Sequence, residues 1–288
     1  TNVHNVAYQG YDPGSGAHPV WYSRGYLAYQ KYFFGNLPAG SDYPLDWDYN
    51  VGSFSQYAHF SINGNNNVII GDVYNLGNFD AVFTVNGVSN AFRGDFTNAT
   101  GGIVYISGEK NYFVNLTNQR GFAGHSYEDR LYSEVTVTGM HYFDQVINGE
   151  HMAFNNPGSS RLNLISNSNR AITTISGNAE GFSFTGLEIT AGQVTLDAEF
   201  GMDKGYGIDV DITLGAQGIL VVNKANEFRG DINNGGHVSL NADGIVLNGT
   251  VNNLANGSFN LEKEVVVNGA VNNAGAFKVG AANMIFGE

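Results

Sequence analysis

Residues 230–240 read GDINNGGHVSL, residues 249–261 read GTVNNLANGSFNL, and residues 269–279 read GAVNNAGAFKV. Each unit has a glycine, a small or acidic residue, a β-branched residue, an Asn pair, a small loop and an alternating apolar stretch. The leading glycines stand 19 and 20 residues apart. Val238 and Leu240 are separated by one residue, as are Phe259 and Leu261, and Phe277 and Val279. A period of two marks strands with one buried face. The Gly and Asn residues between them are turn formers. No helix-length segment separates the strands, which argues against βαβ units. At ~3.3 Å per residue, ~20 residues make one turn of about three short strands. Such turns bury their apolar sides by stacking on one another. The stretch therefore predicts an all-β chain, a parallel β-helix (β-solenoid) in which each strand pairs with its copy one turn on. Asn233 and Asn234 then stack with Asn252 and Asn253, and these with Asn272 and Asn273. Aligned amides bond along such a stack; the alternative is that the Asn pairs are turn chemistry alone.

The phrase returns upstream. Gly71-Asp72-Val73-Tyr74-Asn75 leads to Ala81, Phe83 and Val85, and residues 94–106 read GDFTNATGGIVYI. Gly71 and Gly94 are 23 residues apart, a looser coil. Short alternating strands also fill 161–222. The expected organisation is an N-terminal cap segment over 1–50 and a solenoid over 51–288. A charged, loop-rich insertion interrupts the solenoid at about 109–157, where Lys110, Arg120, His125, Glu128, Asp129, Arg130, Glu134, His141, Asp144, Glu150 and His151 gather. Insertions between coils often form a binding face.

Residues 1–50 hold four of the five prolines, both tryptophans and eight of the sixteen tyrosines. Within WYSRGYLAYQKYFF, Tyr22, Tyr26, Tyr29 and Phe33 recur at steps of four, three and four, a helical stripe beside Trp21. A short aromatic helix here would cover the exposed edge of the first coil. The functional alternative is a platform of Trp21, Tyr22, Tyr26 and Tyr29 that stacks on sugar rings.

Composition narrows the function classes. The net charge is −13, with 13 basic against 26 acidic residues, and the basic residues form no cluster. That opposes nucleic acid and anionic membranes as partners. No apolar run reaches the ~18 residues of a membrane-spanning helix. Cysteine is absent, which suits an exported chain kept free of disulfides during secretion. The start at Thr1 without Met suggests a mature chain that has lost a signal peptide. Asn-x-Ser/Thr triplets at Asn98, Asn115, Asn248 and Asn256 are expected by chance in so Asn-rich a sequence.

Four constellations offer chemistry. His125, His141 and His151 with Glu128, Asp129, Asp144 or Glu150 supply metal-ligand or acid–base types, and equally suit a solvated charged insertion. Asp209 and Asp211 alternate within GIDVDITL. On a strand both would face solvent, ~7 Å apart, near the separation used in inverting glycoside hydrolysis. Asp42, Asp46 and Asp48, and separately Asp203, Asp209 and Asp211, offer hard oxygen ligands to calcium. Arg93-Gly94-Asp95 and Arg229-Gly230-Asp231 read as integrin mimicry or as the repeat's own turn. No phosphate loop, dinucleotide fingerprint or serine-protease motif is present.

The phrase IVLNGTVNNLANGSFNLEKEVVVNGAVNNAGAFKVG, residues 245–280, resembles the Gly/Asn-rich coils of passenger domains in bacterial autotransporter and two-partner-secreted adhesins. The resemblance extends over about 50–288. It implies a right-handed parallel β-helix exported to the cell surface. There it would bind a host-surface glycan or protein, or associate with neighbouring passengers, as the front part of a longer chain. The rival reading is a β-helical carbohydrate-active enzyme, a polysaccharide lyase or glycoside hydrolase with carboxylates at Asp209 and Asp211. A third is a filament or surface-layer subunit.

Overall fold

The computed structural model describes residues 3–11, 19–23, 58–77, 81–99, 101–120, 133–200, 208–280 and 284–285. These residues contain strands and no helix, and the stacked pairings are parallel. Each coil runs through three walls. Wall A begins with Ala58–Ile62, wall B with Val68–Ile69 and wall C with Val73–Gly77. The next coil repeats the order, pairing Phe60 with Phe83 on wall A, Ile69 with Phe92 on wall B and Val73 with Phe96 on wall C. The three repeats at the C-terminal end behave identically: Ile232 pairs with Val251 and then Val271, and Val238 with Phe259 and then Phe277. The predicted β-solenoid is the fold.

Inward positions of each wall carry the apolar residues. Phe83, Phe96, Leu116, Val137, Leu164, Leu196, Leu240 and Phe259 are fully buried, and burying each contributes roughly 1.5–3 kcal/mol. In-register stacking places like on like. Phe92 and Phe113 lie with ring centroids 4.4 Å apart and planes 6° from parallel, and Phe259 and Phe277 at 5.4 Å and 3°. The repeat glycines are required by close approach. A Cβ on Gly249 would lie 2.2 Å from the Gly230 carbonyl oxygen, and one on Gly269 2.1 Å from that of Gly249. An Asp at the corner ties it to its neighbour: Asp231 N–H donates to Asp211 Oδ1 at 2.8 Å, and Thr250 N–H to Asp231 Oδ1 at 2.7 Å.

The Asn pairs form bonded columns, inside and outside the wall. Inside, Asn234 Nδ2 donates to Asn253 Oδ1 at 2.8 Å and Asn253 Nδ2 to Asn273 Oδ1 at 2.6 Å. Outside, Asn252 donates to Asn233 and Asn272 to Asn252. The inner column recurs upstream as Asn75, Asn98, Asn118 and Asn148, all fully buried and joined by bonds of 2.8, 2.9 and 3.0 Å. Each Nδ2 also donates to backbone carbonyls at the corner, so the column satisfies groups that the turn would otherwise orphan. Between the two runs the same register position holds Ser166, Ile189 and Leu214. The amide is replaced there by apolar residues on adjacent coils together.

Two expectations change. The loop-rich insertion over 109–157 is, in its described residues, part of the stack. Tyr112–Gln119, Glu134–Thr138, Tyr142–Asn148 and His151–Asn155 are strands in register with their neighbours. Charges at outward positions such as Glu134 and Asp144 mask buried Val135, Val137 and Phe143. The register confines the extra length to one coil: Asn98 to Asn118 is 20 residues and Asn118 to Asn148 is 30. The added stretch falls where residues 121–132 lie, outside the described residues. At the N-terminus, Trp21 and Tyr22 belong to a strand, Pro19–Ser23, where a helical stripe was expected. It pairs antiparallel with Val3–Tyr11, which adds in parallel to Val73–Gly77. The β-branched and aromatic run Val20-Trp21-Tyr22 suits a strand, and edge pairing decides. Tyr26, Tyr29 and the rest of the cap lie outside the described residues.

Candidate binding face

Wall B of the early coils presents two outward columns. Register aligns Val68, Ala91, Tyr112, Tyr142 and Arg161 in one. Ile70, Arg93, Val114 and Asp144 follow the aligned inward residues Ile69, Phe92, Phe113 and Phe143 and form the second. The Phe side chains fill the core, so the residues directly flanking each point out, and the register shifts only beyond them, between Phe92 and Asp95 and between Phe143 and Val146. Val68 and Ile70 are 60% and 71% exposed, far more than the inward residues beside them. Tyr112 lies between coils: the Arg93 guanidinium sits 5.1 Å above its ring, and its hydroxyl donates to the Asp144 carboxylate on the following coil. The hydrogen bond to Asp144 raises the Tyr112 phenol above its ordinary value; burial adds to this and Arg93 opposes it. On the next corner Asn115 donates to Asp95 at 2.7 Å. The result is an apolar pair beside a cation–aromatic–carboxylate chain on a stiff sheet. Its chemistry can hold a partner by packing and by charge.

The expected site residues separate. Asp144 belongs to this face. His141 does not: it is fully buried at a corner, in the register of Asn67, Asn90 and Asn111. Its Nε2 lies 3.1 Å from the Thr138 carbonyl, which can only accept, so Nε2 carries the proton and Nδ1 keeps a buried lone pair with no partner. Burial lowers its pKa from the ordinary value, against smaller opposing effects of Thr138 and Glu109. His151 is half-buried on wall A in register with Glu134. His125, Glu128 and Asp129 lie outside the described residues, as do Asp42, Asp46, Asp48 and Asp203.

Glu150, one of the acidic candidates of the sequence, is paired with an arginine. Its carboxylate is fully buried at the end of the long coil, 3.3 Å from Arg170 Nε. Burial pushes its carboxyl upward, against the pull of Arg170 and Arg120. The contact is a structural ion pair at a corner.

Asp209 and Asp211 are not strand neighbours. Ile208 makes an isolated bridge, Val210 is a bend and the strand starts at Ile212. Both carboxylates are exposed, and each is committed. Arg229 Nη1 lies 3.2 Å from Asp209 while its Nε bonds Glu227 at 2.9 Å, and Asp211 caps the next corner. The hydrogen bond from Arg229 holds the Glu227 carboxyl below its ordinary range. Both Arg-Gly-Asp triplets occupy this repeat corner, where their Asp and Arg side chains bind the neighbouring coils. Among the described residues no cluster of three or more His, Asp and Glu is placed to hold a metal ion. No protein-family model, curated protein or solved structure matches the chain.

Proposed function

We propose that the chain is an extracellular binding module, a bacterial surface adhesin of the autotransporter-passenger kind. Its ligand is a glycan or protein on a host or neighbouring cell. One observation carries the reading: the Val68–Ile70 and Arg93–Tyr112–Asp144 face combines exposed apolar surface with paired charges on rigid strands. Tyr and Arg on such a surface are the side chains that anchor interfaces. The solenoid backbone, the β-helical repeat and the acidic, cysteine-free composition support export and surface display.

A glycan and matrix-protein array, run with and without calcium, tests this. Binding that falls at least tenfold in Ile70→Asp and in Tyr112→Ala supports it. Absence of binding to every arrayed ligand counts against it. Cleavage of an arrayed polysaccharide that disappears in Asp209→Asn would replace it with the carbohydrate-active reading.

A further inference from the structure

We infer that the wall carrying Arg93, Tyr112 and Asp144 pairs face to face with the same wall of a second copy of this chain, turned end for end. The inference rests on the binding-module reading and names one partner for that face. Arg93 and Asp144 directly follow the aligned inward residues Phe92 and Phe143 and are exposed, one coil before and one coil after that of Tyr112. Adjacent coils are ~4.8 Å apart. A two-fold axis lying in the interface along the strand direction, at the level of Tyr112, reverses the coil order of the partner. It sets Arg93 of each copy against Asp144 of the other, and Tyr112 against its own copy. The same operation lays the stem of Arg161 from one copy over exposed Val68 of the other. Isologous contact demands self-complementarity, and opposite charges displaced equally from one level supply it.

The face spans about five coils, roughly 24 Å along the stack. A contact of that length is smaller than the standard protein interface, so the pairing is weak in solution and grows by multiplicity when many copies share a surface. The net charge of −13 opposes association at low salt, and the local bridges direct it.

Sedimentation of the purified chain over a concentration series, with no ligand present, is the first test. Reversible dimers are expected. Arg93→Asp and Asp144→Arg each weaken dimerisation at least tenfold, and the double variant R93D/D144R returns it to within about threefold of wild type. Circular dichroism melting confirms that each variant is folded. The chain has no cysteine, which allows a second test. A short bis-maleimide cross-links mixed R93C and D144C proteins into a heterodimer across the ~10 Å between facing sheets, whereas R93C alone, whose copies are displaced a further ~9.6 Å along the stack, cross-links far less. A wild-type chain that remains monomeric, charge reversals without effect, a double variant no better than the singles, or equal cross-linking by R93C alone would each overturn the pairing. Ligand binding is read separately, with the wild-type chain on the array, so a monomeric chain that still binds an arrayed ligand overturns the pairing alone.

Discussion

Replacing Asn98 with leucine isolates what the buried amide column contributes. The two side chains are similar in size, so little cavity forms and hydrogen bonding dominates. Asn98 accepts from Asn75 Nδ2 at 2.8 Å and donates to Asn118 Oδ1 at 2.9 Å, to the Gly102 carbonyl at 2.8 Å and to the Glu134 carbonyl at 3.1 Å. The losses differ. Asn75 keeps the carbonyls of Ala81 and Ile103, and Gly102 keeps the N–H of Glu134. Asn118 Oδ1 is left buried without its donor, at about 1–3 kcal/mol, and the carbonyl bonds add about 0.5–1.5 kcal/mol each. The sum, less a small apolar gain, is about 3 kcal/mol. On a long single domain that lowers Tm by roughly 6–12 °C. Ile189 and Leu214 show that the stack accepts apolar residues at this position on two adjacent coils together. Asn98→Leu with Asn118→Leu therefore costs less than the two single changes added, because one bond is removed with both its partners. Thermal melts followed by circular dichroism measure all three variants. A shift under 2 °C for Asn98→Leu, or strict additivity, would refute the reasoning.

His141→Asn restores the amide to a column position and removes the orphaned Nδ1. It is expected to stabilise by about 1–2 kcal/mol. Because burial lowers the His141 pKa, the unfolded chain takes up the proton first. Wild-type stability is therefore complete above pH ~6.5 and declines as pH falls toward the folded value. Urea midpoints between pH 7.5 and 5 should show a shallower decline in His141→Asn; an identical decline sinks the assignment. Gly249→Ala places a Cβ against the Gly230 carbonyl and should cost about 1–3 kcal/mol in the same assay, whereas a neutral result would show that the corner can spread. Asp209→Asn breaks an exposed bridge to Arg229 and should change stability by less than about 1 kcal/mol; a larger loss would mean the corner network is cooperative.

What the sequence made legible follows from where the repeat is regular. Residues 230–279 place glycine, Asn pair and alternating stretch at nearly constant spacing, so the stacked register of Asn233 with Asn252 and Asn272 could be read directly. Around Asn118 and Asn148 the same column exists, but one coil has ten additional residues and the outward positions are charged. The alternation Val135, Val137 was present and was outweighed by the charges beside it. Asp209 and Asp211 alternate in sequence as strand neighbours do, yet a corner at Val210 separates them, and a corner depends on the coil below. The binding face was illegible for a similar reason. Arg93, Tyr112 and Asp144 come together only through coils of unequal length. The available clue was that Arg93 directly follows the inward Phe92 and Asp144 the inward Phe143.

The described residues between 58 and 280 form one stack of in-register coils, and spin labels measure that register. With no native cysteine, labels can be placed at Asn233 and Asn252, outward neighbours on successive coils. Strong spin–spin broadening is expected, from backbones ~4.8 Å apart, with a weaker coupling at ~9.6 Å when the second label is moved from Asn252 to Asn272. Labels at Asn233 and Asn252 that report a separation beyond ~20 Å in the folded chain would contradict it.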